Sequence, residues 1–187
     1  GKSSILLGQG GNLFYIEVRP APGVEQVSLQ ITANDKFLGE EHFFLPTAFR
    51  GGLLGSYFQD TDFSRPAAFT RLDQQISFYF HTMPLPRKPY SVAWTGSLLI
   101  PESGEYEFGT QSKDHSSLYI DGREVLSNPL SVKYKSAQVT LAAGWHPLKV
   151  VFSATDDYNQ VYLYWRRPAA AEREVIPSEF FWPVERK

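Results

Sequence analysis

The segment from Trp94 to Gly122 constrains the fold more than any other part of this chain. It contains two apolar stretches, Trp94–Ile100 and Glu105–Phe108, separated by Pro101-Glu102-Ser103-Gly104. A polar loop, Gln111–His115, then leads to Leu118-Tyr119-Ile120 and the turn dipeptide Asp121-Gly122. Alternation over so few residues between turn residues is the signature of β-hairpins, and it leaves no room for a helical period. Glycine at Gly104 and Gly122 is expected to supply positive φ in the two turns.

The same grammar runs through the rest of the chain. Thirteen prolines and fourteen glycines punctuate short segments rich in Tyr, Phe and Val, and aromatic residues make up 15% of the sequence. The composition therefore predicts an all-β protein. Strands are expected at Leu53–Phe58, Ile76–Phe80, Val92–Ile100, Glu105–Phe108, Leu118–Ile120, Val132–Leu141, Leu148–Phe152 and Val161–Trp165. No helical stretch separates them, which favours an antiparallel β-sandwich over a βαβ arrangement. Bulky residues on both faces of Val161–Trp165 predict a central strand covered on both sides.

Residues 1–50 read separately. Phe14, Ile16 and Val18 alternate with polar neighbours, as do Val27, Leu29 and Ile31, and Asn34-Asp35 forms a turn into a return strand from Lys36 to Leu45. That is a small N-terminal β-meander, an appendage or the end of an upstream domain, followed by a Pro/Gly joint at residues 46–52 and a sandwich over 51–187. The chain begins at Gly1, which reads as a fragment of a longer protein with further domains.

Charge and composition exclude several functions. A formal net charge of -2 without a basic patch gives no footprint for nucleic acid. The absence of cysteine rules out disulfides, thiolate metal sites and a cysteine nucleophile. No apolar run approaches the roughly 20 residues of a membrane-spanning helix, so no membrane insertion by this stretch is expected. Glu105 and Glu107 are spaced like paired glycosidase carboxylates, but alternation with Tyr106 and Phe108 places them on the solvent face, where an acid stays ionised. Ser112, Asp114 and His115 are too close in sequence for a hydrolytic triad. Nothing in the chain argues for an enzyme. Trp94, Trp145 and Trp165 are expected in the core, with Trp182 open to either a core or a surface role.

Several stretches, taken in order, resemble one known family. They are Gly52-Leu53-Leu54-Gly55-Ser56-Tyr57-Phe58, Val92-Ala93-Trp94-Thr95-Gly96, Pro101–Phe108, Leu118–Arg123, Ala143–Leu148 and Val175–Glu179. The chain is similar, over about Gly52 to Pro183, to the fourteen-kilodalton β-sandwich domain of anthrax protective antigen, which recurs in glycosidases, adhesins and flocculins. The resemblance implies a non-catalytic carbohydrate-binding module, an accessory to a larger envelope or secreted protein. Its partner would be a glycan or cell-surface polysaccharide, and its location extracytoplasmic. It also implies a ligand site in two loops, formed by Lys113, Asp114 and His115 and by Asp156, Asp157 and Asn159.

In sugar-binding members, two adjacent aspartates of the first loop hold calcium. Here only Asp114 matches, with Asp157 a candidate second ligand, and Lys113 stands in place of the first aspartate. An ammonium at that point opposes a divalent cation. A structural or protein-interaction role, without sugar or calcium, is the alternative.

Overall fold

The structure is a computed structural model, describing residues 32–33, 36–37, 51–80, 88–129, 131–155 and 159–183. The chain divides into two compact units, one of Phe14–Phe49 and a larger one that includes Arg50–Lys187. In the smaller unit, β1 (Thr32–Ala33) pairs antiparallel with β2 (Lys36–Phe37), and the expected Asn34-Asp35 turn lies outside the described residues. The expected strand around Phe14–Val18 lies outside the described residues.

Among the described residues, the larger unit has twelve strands in two antiparallel sheets. In chain order they are β3 (Leu53–Phe58), β4 (Phe69–Asp73), β5 (Ser77–Phe80), β6 (Tyr90–Ile100), β7 (Gly104–Ser112), β8 (Ser116–Ile120), β9 (Arg123–Asn128), β10 (Ser131–Leu141), β11 (Gly144–Ala154), β12 (Asn159–Arg166), β13 (Glu174–Val175) and β14 (Phe181–Trp182). One sheet runs β4-β3-β6-β11-β8-β9, with β14 also pairing to β6. The other runs β10-β7-β12-β13, with β5 also pairing to β12.

Alternating residues of the two sheets meet in one core. Val92, Trp94, Leu118, Val150 and Phe152 come from the first sheet, and Tyr106, Phe108, Val161, Leu163 and Trp165 from the second. Each is less than 2% exposed, and burial of one such side chain contributes about 1.5–3 kcal/mol. The expected sandwich is therefore present. Trp94 and Trp165 lie in its core, whereas Trp145 and Trp182 are half-buried.

Strand β12 corrects one expectation. It is central, lying between β7 and the β5 and β13 side, but its burial alternates strictly. Asn159, Val161, Leu163 and Trp165 face inward, while Gln160, Tyr162, Tyr164 and Arg166 line a half-open outer face. Tyrosine is apolar enough to mimic a core residue in sequence, yet its hydroxyl lets it stand at a wet surface.

The turn at Asp121-Gly122 has φ of 52° and 74°, as a two-residue hairpin turn requires. Gly104 does not adopt positive φ; a Cβ there would lie 2.7 Å from the Pro168 ring, so close packing is the reason for glycine. Gly96 serves β14, because a Cβ on it would collide with the Trp182 carbonyl oxygen.

Beneath β3, β4 and β6 lies a buried carboxylate, Asp73. Its Oδ2 accepts from the Tyr57 hydroxyl at 2.7 Å and from the Trp94 indole N–H at 2.8 Å. Its Oδ1 accepts from Arg71 Nε at 2.7 Å. A side chain at position 55 would run into Asp73 Oδ2, so Gly55 makes room for the carboxylate.

Candidate functional site

At one end of the sandwich the β7–β8 connection lies against the end of β11, the following Thr155 and the start of β12. Among the described residues, four hydrogen bonds join them. The Lys113 amide donates to the Gln160 carbonyl at 3.1 Å, and the Ser153 amide donates to the His115 carbonyl at 3.0 Å. The Thr155 amide donates to Asp114 Oδ2 at 2.9 Å, with the Thr155 hydroxyl 3.5 Å from Asp114 Oδ1.

Asp114 is therefore a tie between the loops. It is only 5% exposed, and its carboxylate is spent on a segment 41 residues away. A carboxylate accepting a backbone N–H in a low-dielectric setting gains a charge-assisted hydrogen bond, which offsets its desolvation.

The turn above it is fixed from below by buried hydroxyls. Ser112 Oγ lies 2.8 Å from Ser116 Oγ, and the Ser116 hydroxyl donates to Thr110 Oγ1 at 3.0 Å. Asn159 is 2% exposed and points into the same end of the core, beside Tyr90. Burial first, and then the Asp114 charge, pushes the Tyr90 phenol well above its ordinary value, while Asn159 opposes the shift. The Tyr90 hydroxyl thus stays protonated. Sequence reading began this strand at Val92 and missed Tyr90, since a Pro-Tyr pair after a proline-rich stretch carries no strand signal.

His115 points elsewhere. Its Nε2 lies 3.3 Å from Ser117 Oγ and 3.4 Å from Ser127 Oγ, on the outer side of β8 and β9. Lys113 is half-buried at the rim. The structure thus brings Lys113, Asp114 and Asn159 to one end and turns the His115 ring toward the serines. Asp156 and Asp157 lie outside the described residues.

The described donors do not fit a calcium ion. A hard cation of this size takes six to eight oxygens. Here one carboxylate is already committed to Thr155, its neighbour is an ammonium, and no group of three His, Cys, Asp or Glu suited to a metal occurs among the described residues.

Glu105 and Glu107 stand on the outer face of β7, as expected. Glu107 Oε2 accepts from Arg166 at 2.7 Å and its Oε1 accepts from the Tyr134 hydroxyl at 2.9 Å. These bonds, Arg166's first, hold the carboxyl below its usual range, the opposite of what a general acid needs.

Comparison with known proteins agrees with this architecture. The chain is 25% identical over 186 residues to protective antigen of Bacillus anthracis, covering 95% of this chain and 22% of that protein. It is 29% identical over 149 residues to anti-sigma-I factor RsgI3 of Acetivibrio thermocellus, covering 72% of this chain and 22% of that protein. The chain thus spans about a fifth of the length of either relative. Among solved structures, the PA14 sugar-binding domain from an RTX adhesin superposes with a TM-score of 0.60 at 16% identity, covering 71% of this chain and 98% of that one. The family model described as the PA14 domain matches residues 50–179. With that match spanning most of its length, and with the two-sheet sandwich it calls for, the chain belongs to the PA14 domain family.

Proposed function

We propose that this chain is a non-catalytic carbohydrate-binding module, working outside the cytoplasm as an accessory domain of a larger envelope or secreted protein. The observation that carries the reading is the junction of the two loops. Lys113, Asp114 and His115 bond the first loop to Gln160, Thr155 and Ser153 at the sandwich end, with Lys113 at the rim and Asn159 beneath. Polar groups fixed by a rigid scaffold lose little freedom when a ligand arrives, which favours binding of hydroxyl-rich molecules. In this reading Asp114 shapes the surface from beneath, and Asp156 and Asp157 contribute oxygen acceptors.

A glycan array tests this directly. Binding to at least one glycan, weakened by Lys113→Ala and by Asp114→Ala, is the expected result, and no binding at high protein concentration overturns it. Melting in calcium and in chelator belongs to the same experiment, because a metal bound to the native state raises its stability. Equal melting temperatures are expected if the surface works without the ion.

The alternative, a structural or protein-interaction sandwich, has one observation in its favour. The single matching aspartate is engaged with Thr155, so the feature used for sugar in other members serves architecture here. On that reading Asp114→Ala leaves partner binding intact.

A further inference from the structure

The outer face of the five-stranded sheet carries a second arrangement of side chains suited to a ligand. Outward residues of β12 follow one another from the loop end: Gln160, Tyr162, Tyr164, Arg166. At the strand rise of about 3.3 Å per residue they span roughly 20 Å. The track begins at the candidate loops, since the Gln160 carbonyl is the acceptor for the Lys113 amide.

Rings dominate its first half. Tyr79 of β5 lies opposite Gln160 and is 48% exposed, the one large hydrophobic residue so exposed among those described. Tyr162 and Tyr164 are half-buried, with ring centres 6.1 Å apart. Tyr134 of β10 meets Tyr164 edge-on at 5.8 Å and lies over Gly109, where any side chain would strike its ring. The Arg173 guanidinium covers Tyr134 at 3.9 Å. Arg173 also lies over the Tyr164 ring at 5.6 Å, so these contacts hold Tyr134 and Tyr164 in place before any ligand arrives.

The second half is a polar trough of about 180 Å³, lined by Glu105, Glu107, Gln138, Arg166 and Arg167, with Pro168 at its edge. Its lining carries two carboxylates and two guanidinium groups, and two ion pairs are formed there. Glu107 pairs with Arg166 at 2.7 Å, and Arg167 with Glu174 at 3.4 Å. An anionic or cationic ligand would gain one charge of each pair and oppose the other. A hydroxyl group, donor and acceptor at once, can use both partners of such a pair. Flat apolar rings followed by paired donors and acceptors complement a chain of sugar rings, whose C–H faces are apolar and whose edges carry hydroxyls.

We propose that the outer face of β12, from Gln160 to the Glu107–Arg166 pair, is an extended track for an uncharged polysaccharide, continuing the loop surface along the sheet. This rests on the carbohydrate-binding reading above and adds to it where the chain lies and why longer chains are held better.

The test uses affinity electrophoresis against soluble xylan, mixed-linkage β-glucan and galactomannan. Calorimetry follows, with the disaccharide and hexasaccharide of whichever polymer retards the protein. Wild type should bind the hexasaccharide about tenfold tighter than the disaccharide, the scale of one aromatic anchor. Tyr162→Ala and Arg166→Gln should each erase that gain while leaving disaccharide binding unchanged, and Tyr162→Phe should keep it. Gln138→Ala, on an exposed position, repeats the test where folding is not in question. Lys113→Ala should weaken both ligands.

A wild type with no length dependence, or track variants that bind the hexasaccharide as wild type does, overturns the track while the loop reading stands. Loss confined to the track variants, with Lys113→Ala silent, upholds the track and overturns the loop surface. A protein retarded by none of the polymers removes both.

Discussion

Replacing Asp73 by alanine should be among the most damaging single changes in this domain, although Asp73 touches no candidate ligand. The carboxylate accepts from two donors that are themselves completely buried, the Tyr57 hydroxyl and the Trp94 indole N–H, and from the half-exposed Arg71. Alanine strands both buried donors, each at about 1–3 kcal/mol, and frees Arg71 to solvent, so a total near 4 kcal/mol is expected. That is a large share of the roughly 5–15 kcal/mol that holds a domain folded. In a domain of this size each kcal/mol lowers the melting temperature by about 2–4 °C, so the loss should be about 8–16 °C.

Asparagine separates the causes. Its oxygen can still accept from Tyr57 and Trp94, while its NH₂ group faces the Arg71 donor, so Asp73→Asn should cost only about 1–2 kcal/mol. Urea denaturation followed by tryptophan fluorescence measures all three proteins. The reasoning is refuted if alanine costs less than about 1 kcal/mol, or if asparagine costs as much as alanine, because the buried donors would then not be the source of the loss.

Three further expectations follow from other contacts. Gly96→Ala should cost about 2–3 kcal/mol by driving a methyl into the Trp182 carbonyl, and hydrogen exchange should show β14 opening before the rest of the sheet. Asp114→Ala should speed exchange of the Thr155 amide while leaving core amides protected; unchanged exchange there would mean that Asp114 is not the tie described. For Glu107 the folded carboxyl titrates below its ordinary pKa of 4.5, so its stabilising effect is complete above that pH and is lost as pH falls through the folded value. Denaturation midpoints between neutral pH and pH ~3 should therefore fall less steeply in Glu107→Gln than in wild type.

The sequence showed the frame more readily than the site. Strands with alternating aromatics, such as Glu105–Phe108, announce themselves, and Asp121-Gly122 marks its hairpin by chemistry alone. Strand β9 did not, because Arg123–Asn128 holds only Val125 and Leu126 as apolar residues and pairs through its backbone. Gly104 and Gly96 look alike as letters, yet one yields to a proline ring and the other to a carbonyl of a distant strand. Both reasons are tertiary. Asp114 was legible as a loop carboxylate through its family resemblance, but its partner is a backbone amide, and every residue except proline has one. The tyrosine track was misread as core for a related cause: alternation shows that two faces differ, and only the partner sheet decides which is covered.

The way β14 closes the sheet has a mechanical consequence. The Gly52 amide donates to the Phe181 carbonyl at 3.3 Å, and Phe181 and Trp182 lie against Leu98 and Ser97 of β6. The polypeptide therefore enters and leaves the sandwich at neighbouring points, so a pull applied through its two ends does not stretch the core. It peels a two-residue strand and the Gly52 contact, one hydrogen bond after another, while the loop end, toward Tyr90 on the other half of β6, bears no load. A pull of that kind unfastens this clasp at forces that leave the Tyr90 end of β6 intact.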